Sequence, residues 1–110
     1  MINKAIDLGV LTEGKVRNLS GHERGLAARK QFGLDALDRD NVVYTIRVPE
    51  SMNAISPSFV QGLLTGTLRH YGNDVSKFRR HYAFEASDLI RRQIDRGIQN
   101  ILMNRQAPLF

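Results

Sequence analysis

Two serine hydroxyls lie on either side of a proline in the stretch NAISPSFVQGLL, which spans residues 53–64. A serine directly before a helix accepts a hydrogen bond from an amide of the first turn, and proline suits the first helical position because its missing N–H would have no partner there. A phosphate on the same hydroxyls would lie at the positive end of a helix and repel an acidic partner. Ser56 is therefore either a helix N-cap or a phosphoacceptor, and Ser58 is a second candidate phosphoacceptor; the cap needs fewer assumptions.

Arginines in the C-terminal third form a second set of candidate residues. The 110-residue chain has a formal net charge of +5, and residues 69–110 hold eight Lys or Arg against four acidic residues. Guanidinium groups bind phosphate in a bidentate manner, so one interpretation of this excess of positive charge is that it binds nucleic acid. The alternative is an exposed helix with alternating charges, which the lack of a helix-turn-helix, zinc-finger or RNP pattern favours. The five arginines of this candidate anionic-partner patch are Arg79, Arg80, Arg91, Arg92 and Arg96.

Histidines and carboxylates show no catalytic or metal-binding spacing. The three histidines fall in different predicted elements without an i, i+4 pair, and the chain has no cysteine. Phosphate-binding glycine loops and a GxSxG motif are also absent. We therefore predict a protein that is not an enzyme and has no metal or cofactor, with histidines at or near the surface and a solvated acidic turn. These histidines are His22, His70 and His81, and the turn contains Asp35, Asp38 and Asp40.

In the first part of the chain, strands are predicted at residues 2–11 and 15–19. Ser20 and Glu23 have the S-x-x-E spacing of a capping box, which predicts a helix that starts at Ser20. Gly33 is expected to end this helix in a left-handed conformation, and residues 34–41 follow as a polar connection.

The stretch NVVYTIRV, residues 41–48, is rich in β-branched and aromatic residues and predicts a strand inside a sheet that Pro49 ends. Residues 57–71 predict an amphipathic helix, in which two glycines, Gly62 and Gly66, favour close packing.

A strand at residues 80–87 and a long amphipathic helix capped by Ser87 complete the chain. Strands that alternate with helices need crossovers, which connect parallel neighbours. The sequence therefore predicts an α/β fold: a small mainly parallel or mixed sheet with helices packed on it.

Composition places the chain among globular proteins, with 42% hydrophobic and 25% charged residues. The length suits a single domain over residues 1–110. No apolar run approaches the roughly 20 residues needed to cross a bilayer, and the N-terminal stretch carries acidic residues where a signal peptide would be apolar. We therefore expect a cytoplasmic protein.

The stretches VVYTIRV, PESMNAIS and PSFVQGLLTGTL, together with SGHERGLAARKQFGLDAL and FRRHYAFEASDLIRRQIDRGI, carry a resemblance to a known family. The chain resembles the STAS-like bacterial family of unassigned function, which is related to the STAS domains of anti-sigma factor antagonists. The resemblance implies a STAS-like fold with helices over one side of a small sheet. It also implies regulation through protein contacts, often beside a histidine-kinase-like ATPase.

In the antagonists the strand-to-helix turn reads hydrophobic-Asp-Ser-Ser-Gly-Leu, and its first serine is the phosphoacceptor. Here Ser56 stands in place of the aspartate, Pro57 in place of the phosphoacceptor and Phe59 in place of the glycine. The resemblance thus implies a contact surface at this turn more directly than it implies a phosphorylation site.

Two functions follow as hypotheses. The first is a non-enzymatic regulatory module, of a bacterium or a phage, that binds another protein at residues 53–64. The alternative is a basic accessory protein that binds nucleic acid through the arginine patch. The residues expected to contact a protein partner are Ser56, Ser58, Phe59 and Gln61.

Overall fold

Three short parallel strands form the central sheet of the protein. They are β1 (Asn3–Asp7), β3 (Val43–Arg47) and β5 (Tyr82–Glu85), in the order β1-β3-β5. The computed structural model describes residues 3–12 and 17–106. The predicted α/β fold with a small parallel sheet is confirmed, as is the interior position of the strand in NVVYTIRV.

A second, two-stranded parallel sheet joins β2 (Asn18–Leu19) to β4 (Ala54–Ile55). Only part of the strand predicted at residues 15–19 lies within the described ranges. The connection between the strand at residues 41–48 and the next helix contains β4, a strand that the sequence did not predict. Because β4 intervenes, that helix begins at the end of the small sheet and not at the end of the central one.

Five α-helices accompany the strands in the part of the chain that the structure describes. A 3-10 helix at Leu8–Leu11 follows β1. Two of the helices are short, and the sequence did not predict them, because four and seven residues are too few to establish a helical period. The helices are α1 (His22–Phe32), α2 (Leu34–Leu37), α3 (Pro57–His70), α4 (Val75–His81) and α5 (Asp88–Gln106).

Helix boundaries agree with the sequence at three places. Ser56 caps α3, Ser87 Oγ accepts from the Ile90 amide at the start of α5, and Gly33 ends α1 with φ 66°. The predicted capping box at Ser20 is wrong. Gly21 occupies the N-cap of α1 with φ 95° and makes no side-chain cap, so α1 starts two residues later than predicted.

Helix α3 packs against both α1 and α5, and its apolar side chains are a large part of the core. Phe59, Val60, Leu64 and Leu68 are each at most 1% exposed. Close packing by Gly62 was predicted, and α3 does approach α1 closely at this residue. Within the described ranges, no helix combines the length and apolarity required to cross a membrane.

Candidate functional site

A groove with a volume of about 440 Å³ lies where the turn from β4 to α3 meets β2 and α5. We call it the α3 groove. Its floor is apolar, because Leu19 and Ile55 lie there and are 4% and 2% exposed. Ala54 lies beside them, and the remaining lining residues are Asn18, Ser20, Ser56, Pro57, Gln93 and Arg96.

Ser56 is held at the start of α3 by its own cap. Its backbone is extended (φ −80°, ψ 153°), and its Oγ accepts a hydrogen bond of 3.1 Å from the Phe59 N–H. The hydroxyl oxygen of Ser58 lies 3.0 Å from Ser56 Oγ, so the two hydroxyls share a hydrogen bond. The N-cap interpretation of Ser56 is therefore confirmed, with Pro57 in the first turn as predicted. Phosphorylation of either serine stays a prediction.

Gln93 connects α5 to the floor of the α3 groove. Its Oε1 accepts a hydrogen bond of 2.8 Å from the Ile55 N–H, whereas the Ser56 N–H donates to the Leu19 carbonyl of the neighbouring strand. Gln93 thus satisfies a backbone amide of β4 that would otherwise need water. Sequence analysis missed this residue, because nothing in a helical glutamine indicates a partner 38 positions away.

The four residues expected to contact a protein partner are separated by the fold. Ser56 lines the α3 groove, and Ser58 and Gln61 are half-buried on α3 without lining it. Phe59 is a core residue, 1% exposed, so the expectation that it contacts a partner is wrong. Phe59 lies in the first turn of α3, and its side chain faces the core because α1 and α5 pack against this helix from two sides.

The five arginines do not all line one recess. Arg79 on α4 makes an ion pair with Asp95 on α5 at 3.0 Å, and both line a small recess of about 220 Å³ together with Arg91. Arg96 lines the α3 groove, and Arg80 lines a third recess beside α4. Arg92 is exposed on α5. Their use by nucleic acid stays a prediction.

A buried polar network centred on Asp38 was not predicted. We expected Asp38 in a solvated turn, and this was wrong, because its side chain is only 3% exposed. Asp38 accepts hydrogen bonds from Tyr82 Oη at 2.6 Å and from Thr67 Oγ1 at 2.9 Å. Its second oxygen pairs with Arg29 Nη2 at 2.6 Å. By contrast, the neighbouring Asp35 is 87% exposed, as predicted.

Arg29 reaches Asp38 along the surface of α3. Its Nη1 donates to Thr67 Oγ1 at 2.6 Å and to the Leu63 carbonyl at 3.0 Å. The guanidinium lies over Gly66, where an added Cβ would stand 3.0 Å from Arg29 Cζ. Burial lowers the pKa of Arg29, but the hydrogen bonds and charges of Asp38 and Asp35 outweigh it, so this pKa is raised. The Asp38 carboxylate, paired with Arg29, therefore connects α1 to α3 and to β5.

Tyrosines around this network ionise with difficulty. Burial, followed by the hydrogen bond to Asp38, raises the pKa of Tyr82 far above its ordinary value. Burial also raises the pKa of Tyr71 to about 12, helped by the charge of Asp38. These groups are therefore neutral hydrogen-bond donors near neutral pH.

The histidines divide between surface and interior. His22 and His70 are exposed, as expected, whereas His81 is 8% exposed. His81 Nε2 donates to the Leu37 carbonyl at 2.7 Å, because a carbonyl oxygen can only accept. Among the described residues, no cluster of three or more His, Asp or Glu side chains has the arrangement of a metal site.

Comparison of the chain with protein-family models, with curated proteins and with solved structures finds no significant match. The geometry of the molecule therefore carries the functional inference. Among the recesses in the described part of the chain, the α3 groove combines apolar and polar lining from three chain segments with the helix start at Ser56.

Proposed function

We propose that this chain is a non-enzymatic regulatory module, STAS-like in organisation, that binds another protein in the α3 groove. The observation that supports it is the lining of the groove by three separate parts of the chain, β2, the β4–α3 turn and α5. Binding sites commonly combine an apolar floor with a few polar groups that fix orientation. Leu19 and Ile55 provide that floor, and Ser20 and Arg96 lie among the polar lining residues.

The charge of the groove favours an acidic partner. The positive end of the α3 dipole lies at Ser56, and Arg96 lines the same groove. Arg96 makes no ion pair with any residue in the described ranges, so its guanidinium is available to a carboxylate of the partner. An Asp or Glu side chain that projects from a partner loop is the chemistry that fits both features.

Phosphorylation would regulate this contact by occupying the groove. A phosphate on Ser56 would carry about −1.5 to −2 charges at pH 7 and would compete with the partner carboxylate for Arg96. The resemblance to STAS-like proteins supports a histidine-kinase-like ATPase as the class of partner and as the source of the phosphate.

Affinity capture with the full chain tests the proposal. The bait is the wild-type protein, and the comparison baits are Arg96→Glu and the matched control Arg92→Glu, which changes a neighbouring exposed arginine of α5 that does not line the groove. We expect one specific protein to be retained by wild type and Arg92→Glu, and binding about tenfold or more weaker for Arg96→Glu. Equal retention by both variants, or no retained protein at all, would contradict the proposal.

A further inference from the structure

The recess beside α4 that Arg80 lines is at the edge of the central sheet where its strands begin. It is bounded by the connection that precedes β3, by the C-terminal end of α3 and by α4, and its volume is about 520 Å³. This volume is within the range of roughly 300–1,000 Å³ that is typical of small-molecule sites. We call it the histidine recess, because His70 and His81 both line it. It shares no lining residue with the α3 groove.

Three cationic side chains around the histidine recess have no anionic partner in the described part of the chain. They are Arg39, Lys77 and Arg80, and all three are exposed. This distinguishes them from Arg79, which Asp95 neutralises. Unpaired cations that line one recess raise its positive potential, and this attracts an anion.

The carboxylates of the recess are already engaged by the protein. Asp38 is paired with Arg29, and its remaining lone pairs accept from Thr67 and Tyr82. Asp40 accepts a hydrogen bond from Tyr44 Oη at 2.5 Å and another from the Val42 N–H at 3.0 Å.

The hydrogen bond from Tyr44 lowers the pKa of Asp40 most, and the hydrogen bond from the Val42 N–H lowers it further. The Asp40 carboxyl group is therefore ionised at neutral pH. One ionised carboxylate that is already hydrogen-bonded does not cancel the three free cations. The recess therefore keeps an excess of positive charge.

Aromatic rings shape the wall of the recess. The His81 ring contacts Tyr71 and Tyr82, with ring centroids 5.9 and 4.7 Å apart, and its Nε2 is fixed by the Leu37 carbonyl. His70 is exposed and packs edge-on against Tyr71 at 4.9 Å. The fixed His81 imidazole beside exposed cationic side chains suits a ligand that presents a compact anionic group.

We propose that the histidine recess binds a small molecule that carries a phosphate group. Lys77 and Arg80 lie three residues apart on α4 and would contact the phosphate together with Arg39, which lies in the connection before β3. Such a ligand would bind at a different place from the protein partner of the α3 groove. Phosphate binding in the histidine recess is therefore independent of protein binding in the α3 groove, and an experiment can disprove either one while the other stands.

Titration of the isotope-labelled full chain with inorganic pyrophosphate, followed by NMR, is the first measurement. We expect saturable shifts of backbone amides around Tyr71, Lys77 and His81, and of the His70 ring. No saturable change up to about 10 mM, where even millimolar affinity would be visible, would overturn the proposal.

A charge-matched pair of double variants separates this site from general attraction to a basic protein. Lys77→Gln with Arg80→Gln removes two cations of the recess, whereas Arg91→Gln with Arg92→Gln removes two from α5. We expect binding about tenfold or more weaker in the first variant and little changed in the second. Equal weakening in both would overturn the proposal.

Two further arms keep the result decisive. Because the changed side chains are exposed, both double variants should retain the wild-type amide spectrum. If the Lys77→Gln, Arg80→Gln variant does not, the single variant His70→Gln takes its place, since His70 is also exposed. It too is expected to bind pyrophosphate more weakly than the wild type. A single-stranded oligonucleotide is titrated in parallel. Binding of the oligonucleotide at these residues without binding of pyrophosphate would contradict a small-molecule site and favour nucleic acid.

Discussion

Gly25 on α1 and Gly62 on α3 meet backbone to backbone, so that each helix fills the space that a side chain of the other would need. A Cβ on Gly62 would stand 2.2 Å from the His22 carbonyl oxygen, and a Cβ on Gly25 would stand 2.2 Å from the Phe59 carbonyl oxygen. Both distances are to backbone atoms, which cannot move without shifting a whole helix. The pair therefore fixes how closely α1 approaches α3, and with it the reach of Arg29 to Asp38.

Replacing Gly62 tests this close approach. We expect Gly62→Ala to lower the free energy of unfolding by about 2 kcal/mol, because overpacking against α1 costs about 3 kcal/mol and the gain in helix propensity offsets only about 1 kcal/mol of it. Gly66→Ala is the matched control, since its Cβ would meet only a side chain, the Arg29 guanidinium at 3.0 Å. Urea unfolding measures both. A loss for Gly62→Ala no larger than that for Gly66→Ala would show that the crossing can relax.

The buried ion pair of Asp38 gives a second prediction. Asp38→Asn leaves the Arg29 guanidinium, 11% exposed, without its buried counter-charge, and we expect a loss of about 3 kcal/mol. Asp35→Asn removes the exposed partner of the same guanidinium and should cost less than about 1 kcal/mol. Denaturant unfolding of the two variants provides the comparison. Similar small losses would mean that the buried pair contributes little.

Tyrosine ionisation predicts how stability depends on alkaline pH. The chain has three tyrosines, and burial raises the pKa of Tyr44 and of Tyr71 to about 12 and that of Tyr82 further. The folded protein holds these phenol protons more tightly than the unfolded chain does. Their contribution to the free energy of unfolding is therefore fully present below pH 10 and is lost as pH rises toward 12.

Ultraviolet titration of tyrosinate checks this prediction. We expect little ionisation near pH 10 in the folded protein and ordinary titration near pH 10 in urea. A folded protein in which one tyrosine ionises at its ordinary pH would contradict the burial described above. Tyr82→Phe, which removes one of the three groups, should leave the other two with raised values.

Substitutions of Ser56 separate its cap from its charge. Ser56→Ala should lower the free energy of unfolding by about 1 kcal/mol, because the Phe59 amide loses its acceptor, whereas Ser56→Asp keeps a good N-cap. Ser58→Ala is the control and should cost less than about 0.5 kcal/mol. If Ser56→Asp retains stability but loses the captured protein, charge in the groove controls binding. Mass spectrometry of the protein from its native host then shows whether Ser56 or Ser58 carries phosphate.

Much of the local structure could be predicted because its causes are local. The cap at Ser56, the left-handed end at Gly33 and the cap at Ser87 depend on residues within a turn of the chain. The α5 stripe was predicted for the same reason, since Ile90, Ile94 and Ile98 recur at helical spacing and are all buried. Strand β3 was predicted as interior because it is apolar on both faces.

The candidate site was predicted only where it coincides with such a local signal. Ser56 lines the α3 groove and was named from the sequence, but Gln93 was not, because its partner is a backbone amide of a two-residue strand. Arg96 was named for its charge, and its position in the groove follows from the packing of α5 beside β4. The histidine recess was missed because its residues come from separated segments with no common spacing.

The sequence by itself determined the periodicity of the two amphipathic helices α3 and α5, the caps at Ser56 and Ser87, and the parallel α/β class. The tertiary structure decided which polar residues are buried and which charges are paired. Asp38 and Asp35 belong to the same short acidic stretch, yet one is a buried hub and the other is exposed, because Thr67 and Tyr82 approach only Asp38. These partners are 29 and 44 positions away, and whether a carboxylate is desolvated depends on such distant groups and not on its neighbours in the chain.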